Sequence, residues 1–328
     1  MKVKISAISY HLPDKIEGID ILQLDNPDWE MHKILEKTGV HNRYIAAQDE
    51  TAVDLAFKAG EKLLKDTPLM REEIDLLILV TQSPDFVLPT SACILQNRLL
   101  LPNNCMSFDV NLGCSGFVYS LSIASGLIES GVAHKGLILC ADTYSKYIGK
   151  NDRTCRPVFS DGAAATLVER SDASCIGPFE FGTDGSGYDR LIVRNSGARD
   201  ACRGFNYQHV SLEMHGSDIF LFTMRVIPLC INKILDRERL AIDDIDLFVF
   251  HQAGKLVIDN LIRNLSLDKE KVFINYDTIG NTVSASIPIA LKDAMLRGCL
   301  KEGDVVMLIG FGVGLSWGAA LIRWPAVS

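Results

Sequence analysis

The sequence lacks several features that would place it in a common non-enzymatic class. It has no run of lysine or arginine that resembles a nucleic-acid-binding arm, and its formal net charge is -8, so a phosphate backbone is not an expected partner. No segment approaches the roughly 20 apolar residues that a membrane-spanning helix needs. The N-terminal apolar run breaks after a few residues, too early for a signal peptide. We therefore expect a cytoplasmic protein with neither a nucleic-acid nor a membrane partner.

Paired cysteines and low-complexity tracts are also missing. The nine cysteines are scattered, form no C-x-x-C pair and are odd in number, which predicts neither a disulfide framework nor a zinc site. Most lie among apolar neighbours, as Cys140 does, so a small buried side chain is the default interpretation for each of them. A hydrophobic content of 48% is enough for a large ordered core.

What the sequence does contain is an internal repeat. The segment IDLLILVTQ at 74–82 resembles IDLFVFHQ at 245–252, and MSFDVNLGCSGF from Met106 is echoed by VFINYDTIGNTVS from Val272. The two pairs are separated by nearly the same number of residues. In each copy the turn is followed by a segment with helical spacing and then by another apolar strand. Each copy therefore reads as a strand, turn, helix and strand.

The repeat predicts the fold class. Apolar strands that alternate with helices are typical of sheets covered on both faces, and hence of α/β layers. Two related halves packed together give a duplicated five-layered α/β/α/β/α fold. We place the halves at 1–172 and 173–328, with the candidate cysteine in the first and the candidate histidine and asparagine in the second.

Cys114 is the candidate nucleophile. It lies between Gly113 and Ser115, where a predicted strand gives way to a predicted helix. The unpaired amides at a helix N-terminus favour a thiolate over a thiol, and a cysteine nucleophile reacts as the thiolate. Burial is the ordinary role of a cysteine, but this turn position favours catalysis.

His251 and Asn281 occupy matching places in the second copy. His251 ends the repeated strand, at the edge where open α/β sheets bind ligands, although a histidine there can also be a satisfied core residue. Asn281 occupies the turn that corresponds to the turn of Cys114, and by itself it would be read as a turn former or helix cap. Because related turns of packed halves can face one cavity, we expect the three side chains to converge.

Three glycines follow the strand at 305–309, in Gly310-Phe311-Gly312-Val313-Gly314. They lack the G-x-G-x-x-G spacing of a dinucleotide site, and no ribose-binding acid follows them. We interpret them as positions where a backbone N-H approaches the reacting group as an oxyanion donor.

Five motifs together resemble the β-ketoacyl-(acyl carrier protein) synthase III family of the thiolase superfamily. They are DVNLGCSGF around Cys114, DRTCRPVFSDGAAA from Asp152, VFHQAG around His251, GNTVSASIP around Asn281 and GFGVGLSWGAALIRW near the C-terminus. They occur in family order and spacing, essentially from end to end. The resemblance implies a thiolase-like fold, usually in a homodimer.

The resemblance also implies an activity and roles. In the family an acyl-CoA acylates the cysteine, and malonyl-acyl carrier protein loses carbon dioxide to give an enolate that attacks the bound acyl group. Cys114 is then the nucleophile, and His251 and Asn281 donate hydrogen bonds to the malonyl thioester oxygen. The amides of Cys114 and Gly314 form the oxyanion hole. The family uses coenzyme A as a thioester substrate and needs no metal or other cofactor.

Further positions match substrate contacts of the family. Trp29 and Arg153 match the pair that flanks the adenine of coenzyme A, and Leu88 matches a residue that enters the acyl pocket of the other subunit. Phe159 and Phe220 match walls of the primer pocket, and Phe311 matches an aromatic residue beside the reacting carbons.

The chain departs from the family after His251, where Gly254-Lys255-Leu256 replaces the usual N-x-R. An amide for the pantetheine arm and an arginine for carrier docking are thereby lost. Substitute charge can come from Lys255, Arg225 and Arg263, and the identity of the carrier is left open.

Other activities are compatible with parts of the pattern. One is acyl transfer from Cys114 to an alcohol or amine, which needs no enolate stabiliser and so leaves Asn281 unexplained. Proteolysis by Cys, His and Asn shares the chain order of papain-like enzymes but lacks their local signatures. A non-catalytic partner subunit would have no need to retain its nucleophile.

Overall fold

The computed structural model describes residues 1–201 and 210–325. The strands are β1 (Val3–His11), β2 (Lys15–Gly18), β3 (Asn42–Ile45), β4 (Leu76–Val80), β5 (Met106–Val110), β6 (Lys135–Asp142), β7 (Gly162–Arg170), β8 (Ile176–Thr183), β9 (Leu191–Arg194), β10 (Ser211–Met214), β11 (Leu247–Phe250), β12 (Val305–Gly312) and β13 (Ser316–Arg323).

The α-helices lie between these strands. They are α1 (Ile19–Asp25), α2 (Met31–Thr38), α3 (Ala52–Asp66), α4 (Ser91–Arg98), α5 (Gly116–Glu129), α6 (Ala198–Ala201), α7 (Gly216–Glu238), α8 (Lys255–Leu265), α9 (Tyr276–Ile279) and α10 (Ser286–Leu296). No described helix is long and apolar enough to cross a membrane.

Two sheets repeat one topology. The first has the strand order β1-β7-β6-β4-β5 and the second has the order β8-β13-β12-β11. The equivalent pairs β4-β6 and β11-β12 are parallel, with Leu76 opposite Gly136 in the first sheet and Leu247 opposite Val306 in the second. The counterpart of β5 is reduced to a single parallel bridge between Phe248 and Val272. The duplication predicted from the sequence is therefore confirmed.

The layers follow from which residues are buried. All five residues of β4 are buried, as expected of a strand covered on both faces. Helices α5 and α10 contribute to one apolar core that also holds residues of both sheets, whereas α3 and α4 cover the outer face of the first sheet and α7 and α8 that of the second. The order is α/β/α/β/α, as predicted.

The described cysteines are unpaired, as their scattered positions in the sequence predict. The eight cysteines that the structure describes are free thiols, and Cys202 lies outside the described residues.

The first sheet ends at Arg170 and the second begins at Ile176. The division into 1–172 and 173–328 stays a prediction, because α10, from the second half, also packs against β1 and β7 of the first sheet.

Candidate active site

Strand β12 lies against the turn that carries Cys114, two residues before α5 begins. A Cβ atom on Gly312 would lie 2.9 Å from the sulfur of Cys114, and one on Gly310 would lie 2.8 Å from its carbonyl oxygen. Any larger side chain would therefore displace the turn. The glycines permit this close approach of two backbones.

The thiol of Cys114 is buried in an apolar cluster. Its neighbours in that cluster include Tyr144, Phe159 and Val283. Burial, followed by the nearby carboxylate of Asp142, raises the pKa of the Cys114 thiol to about 12, although the amides of Cys114 and Val313 hydrogen-bond the sulfur and oppose that rise in pKa. The expectation of a resting thiolate is therefore wrong, because desolvation outweighs the helix N-terminus. At neutral pH the sulfur is protonated.

Asp142 links the two halves behind this sulfur. Its carboxylate accepts hydrogen bonds from the Gln82 amide at 2.8 Å and from the Ser284 hydroxyl at 2.6 Å. The side chain of Gln82 in turn accepts a hydrogen bond from the Tyr144 hydroxyl at 2.7 Å. Burial raises the pKa of Asp142 to about 7. Sequence reasoning missed this carboxylate, although it ends a buried strand just as His251 does.

His251 directly follows β11 and is held on two sides. Its Nδ1 lies 2.7 Å from the Ser286 hydroxyl, and the edge of its ring meets Phe311 with 5.6 Å between centroids. Burial lowers the pKa of the imidazole to about 3, so the ring is neutral near pH 7. Phe311 and Gly312 are consecutive, and one touches His251 while the other approaches Cys114.

Asn281 is fixed through both its backbone and its side chain. Its N-H donates to the Val158 carbonyl at 3.0 Å, and its own carbonyl accepts from the Ser160 N-H at 2.8 Å. Its Oδ1 accepts from the Val283 amide at 2.9 Å. Within the described chain Nδ2 therefore has no partner, and it is not sealed from solvent. Asn281 forms a parallel bridge with Phe159, a neighbour of Cys114, and His251 meets Phe311, which precedes the Gly312 that approaches the sulfur. The three predicted residues therefore lie around one junction.

A cleft of about 660 Å³ opens beside this site. Arg153 and Phe220 line it, as does Val158, whose carbonyl holds Asn281. Lys33 and Lys37 also line it. Sequence analysis did not select these lysines, although their spacing places them on one face of α2. The cleft therefore carries basic side chains and reaches Val158, which bonds Asn281, whereas Cys114, His251 and Asn281 themselves are not among the residues that line it.

The remaining predicted residues lie apart from this cleft. Trp29 packs against the small apolar cluster formed by α1 and α2. Leu88 is 80% exposed in a loop before α4, and its neighbours Phe86 and Val87 are exposed as well. Gly314 follows Val313, whose amide bonds the sulfur.

The three cations predicted to dock a carrier are exposed on α7 and α8. Arg225 pairs with Asp184 at 2.9 Å and Lys255 pairs with Asp259 at 2.6 Å. Arg263 donates to the side chain of Asn260 at 3.0 Å. Exposed pairs of this kind contribute little stability, so they can be exchanged for a partner's charges.

A buried thiol, a neutral imidazole and a free carboxamide, gathered between duplicated α/β halves, define the class of thiolase-like acyltransferases. Two family models match the chain: the 3-oxoacyl-[acyl-carrier-protein (ACP)] synthase III model over 108–185 and its C-terminal model over 235–324.

Whole-chain relatives agree with these matches. The chain is 40% identical to a β-ketoacyl-[acyl-carrier-protein] synthase III of Clostridium perfringens, over 88% of this chain and 90% of that protein. It is 36% identical to the Clostridium tetani enzyme of that name over 98% of each chain. A crystal structure of a 3-oxoacyl-(acyl-carrier-protein) synthase III superposes with a TM-score of 0.93, at 41% identity, over 99% of this chain and 100% of that one.

The chain belongs to the β-ketoacyl-[acyl-carrier-protein] synthase III family. The family and the thiolase-like fold expected from the motifs are thereby confirmed. The protein is an enzyme of this acyltransferase type.

The close approach at Gly312 can be tested by one methyl group. Gly312→Ala should displace the sulfur and slow acylation of Cys114 about 100-fold, since misplacement by about 1 Å costs that much. The rate is measured by mass spectrometry of the Cys114 peptide after exposure to an acyl-CoA. The matched control is Gly126→Ala in α5, where an added Cβ meets no atom within 4 Å. Equal rates in the two variants would contradict the proposed constraint.

The protonated thiol makes a separate prediction about pH. Because the pKa of Cys114 is near 12, the thiolate fraction should rise about tenfold per pH unit below that value. The alkylation rate of the Cys114 peptide by iodoacetamide should therefore climb steadily from pH 7 to pH 9. Cys114→Ala identifies background labelling. A rate that has already levelled off at pH 7 would show that the thiolate is the resting form.

Proposed function

We propose that this enzyme catalyses the decarboxylative Claisen condensation of an acyl-CoA primer with malonyl-acyl carrier protein, which gives a 3-oxoacyl thioester. The single observation that carries the proposal is the convergence of one buried thiol with two side chains that have a free polar atom. A thiol alone would suffice for acyl transfer, but it would leave the two donors without a role.

The first half-reaction loads the primer. Lys33, Lys37 and Arg153, which line the cleft, suit the phosphates of coenzyme A. Phe220 and Val158 suit the less polar pantetheine arm. The sulfur of Cys114 bonds to the acyl carbon, and the carbon-sulfur bond to coenzyme A breaks. The thiol proton leaves with the departing coenzyme A thiolate, so no charge remains on the enzyme.

The second half-reaction uses the neutral donors. Loss of carbon dioxide from the malonyl group leaves its electron pair as an enolate, and negative charge develops on the thioester oxygen. His251 and Asn281 stabilise that oxygen by hydrogen bonds, which are worth most in a site already dry and fixed. The enolate carbon attacks the acyl carbon, the carbon-sulfur bond to Cys114 breaks, and the released thiolate takes a proton from solvent. The amides of Cys114 and Gly314 are the proposed donors to the tetrahedral oxyanion.

The carrier is proposed to dock on the exposed faces of α7 and α8. Arg225 lies between Leu221 and Leu229 on one face of α7, and all three are exposed. Lys255 and Arg263 extend this surface on α8. Cations flanked by apolar residues suit a partner with negative charges around an apolar contact.

We also propose a homodimer. Strand β5 is the edge of the first sheet, and an unpaired edge can pair with a second copy. The loop residues Phe86, Val87 and Leu88 are 58%, 86% and 80% exposed, which is unusual for three consecutive apolar side chains. Leu88 would enter the partner's acyl pocket.

The remaining parts of the proposal are the cellular location, the cofactor requirement and the substrate contacts. We place the enzyme in the cytoplasm and assign it no cofactor beyond the coenzyme A thioester that is its substrate. Trp29 and Arg153 are proposed to flank the adenine, and Phe159 and Phe311 to bound the primer. Acyl transfer to an alcohol or amine accounts for Cys114 but not for the free Nδ2 of Asn281.

The two half-reactions predict a division among variants. Cys114→Ala should form no acyl adduct. His251→Ala and Asn281→Ala should still form the adduct on Cys114 but should lose condensation by about 100- to 1,000-fold, as when one oxyanion donor is removed. Adduct formation is followed by mass spectrometry, and condensation by the release of labelled carbon dioxide from malonyl-acyl carrier protein.

Two results would contradict the proposal. One is an adduct at another residue that persists in Cys114→Ala. The other is acyl transfer to an alcohol or amine by the wild type without any malonyl-dependent release of carbon dioxide. The mass of the preferred adduct would identify the primer.

The dimer has its own test. Wild-type protein should sediment at twice the 36.1 kDa of the chain. Leu88→Asp should weaken the dimer at least about tenfold, because a charge would replace a leucine that the proposed interface buries. Leu24→Asp is the matched control, since Leu24 is similarly exposed on α1. A monomeric wild type, or equal dissociation of both variants, would refute the interface.

A further inference from the structure

The bond between His251 and Ser286 carries an inference beyond the proposed roles. The Ser286 hydroxyl lies 2.7 Å from Nδ1 of His251, and both side chains are 2% exposed. Within residues 1–201 and 210–325 the Ser286 side chain makes no second hydrogen bond. Its proton therefore has one available acceptor, which is Nδ1.

Proton accounting separates the two ways of making this bond. A neutral imidazole carries one N-H, on either Nδ1 or Nε2. If Nδ1-H donated to Ser286, the buried hydroxyl proton would have no acceptor in the described chain, and an unsatisfied buried donor is unfavourable. If Ser286 donates to Nδ1, every buried proton of the pair is satisfied and Nε2 carries the ring proton.

We propose that Ser286 is a positioning residue that donates to Nδ1 and thereby holds His251 as the Nε2-H tautomer. His251 is then a hydrogen-bond donor to the substrate and not a base toward the thiol. Nε2 suits this use because it has no partner in the described chain, and it is not sealed from solvent.

The ring is fixed in orientation as well as in protonation. The backbone N-H of His251 donates to the Ile309 carbonyl at 2.7 Å. Phe311 meets the ring edge-on, and Ser286 holds Nδ1 from the first turn of α10. One short segment therefore prepares both donors. At its start the Val283 amide holds Oδ1 of Asn281 and leaves Nδ2 free, and at its end Ser286 holds Nδ1 and leaves Nε2 free.

The predicted effect of Ser286 on catalysis rests on the proposed function, whereas the assignment of the Nε2-H tautomer does not. In Ser286→Ala the ring loses the bond that selects Nε2-H. Condensation should fall about 10- to 100-fold, the usual effect of removing a group that orients a reacting one. Acylation of Cys114 should stay within about twofold of wild type, because it does not use the donor.

The test combines kinetics with a direct measurement of the tautomer. Nitrogen-15 chemical shifts of labelled His251 in the intact enzyme should show a protonated Nε2 and an unprotonated Nδ1, and Ser286→Ala should show a mixture. Ser286→Thr retains the hydroxyl and should restore both the tautomer and condensation. Ser120→Ala is the matched control, because Ser120 is a buried serine whose hydroxyl has no partner in the described chain.

The outcomes separate the two proposals. A protonated Nδ1 in wild-type enzyme, or an unchanged tautomer and condensation rate in Ser286→Ala, would overturn the role of Ser286. A fall in condensation equal to the fall in acylation would also overturn it, since that pattern indicates structural damage. If His251→Ala condenses normally, the proposed function fails, whereas the tautomer measurement still decides what Ser286 does.

Discussion

The approach of β12 to the turn of Cys114 is the constraint on which the rest of the site depends. Because Gly310 and Gly312 have no side chains, a strand of the second sheet touches the turn and sulfur of the first half. The same strand carries Phe311, which contacts His251. The distance between nucleophile and imidazole is thus set by backbone geometry, which varies less than a contact between flexible side chains.

Burial at this junction determines which groups are charged. It raises the pKa of the Cys114 thiol and lowers that of the His251 imidazole, so the resting site holds a thiol and a neutral ring. In the proposed mechanism, charge develops only during the reaction, on the thioester oxygen and on the sulfur. Hydrogen-bond donors that are neutral at rest and already oriented toward the reacting group stabilise that charge, because no ion pair has to break first. The nearby carboxylate of Asp142 favours the resting thiol, since its negative charge opposes formation of a thiolate.

The sequence predicted the features that local pattern determines. The repeat gave the two sheets and the five layers, and the matching turns placed Cys114, His251 and Asn281 together. It failed where the result depends on three-dimensional burial. The helix N-terminus favoured a thiolate, but desolvation of Cys114 cannot be read from its neighbours in the chain. Ser286 and Lys37 were also missed, because Ser286 contacts a residue of a distant element and Lys37 lines a cleft that several elements form.

The duplication also explains why the site is asymmetric. In the first half the turn carries a sulfur at the start of α5, and in the second half the equivalent turn carries a carboxamide near the start of α10. A second cysteine at that turn would give two nucleophiles and remove one of the two proposed enolate donors. The halves therefore diverged at one matched position while keeping the strands that bring those positions together. In the proposed mechanism the first half supplies the bond-forming sulfur, and the second supplies Asn281 and His251 to stabilise the charge that forms.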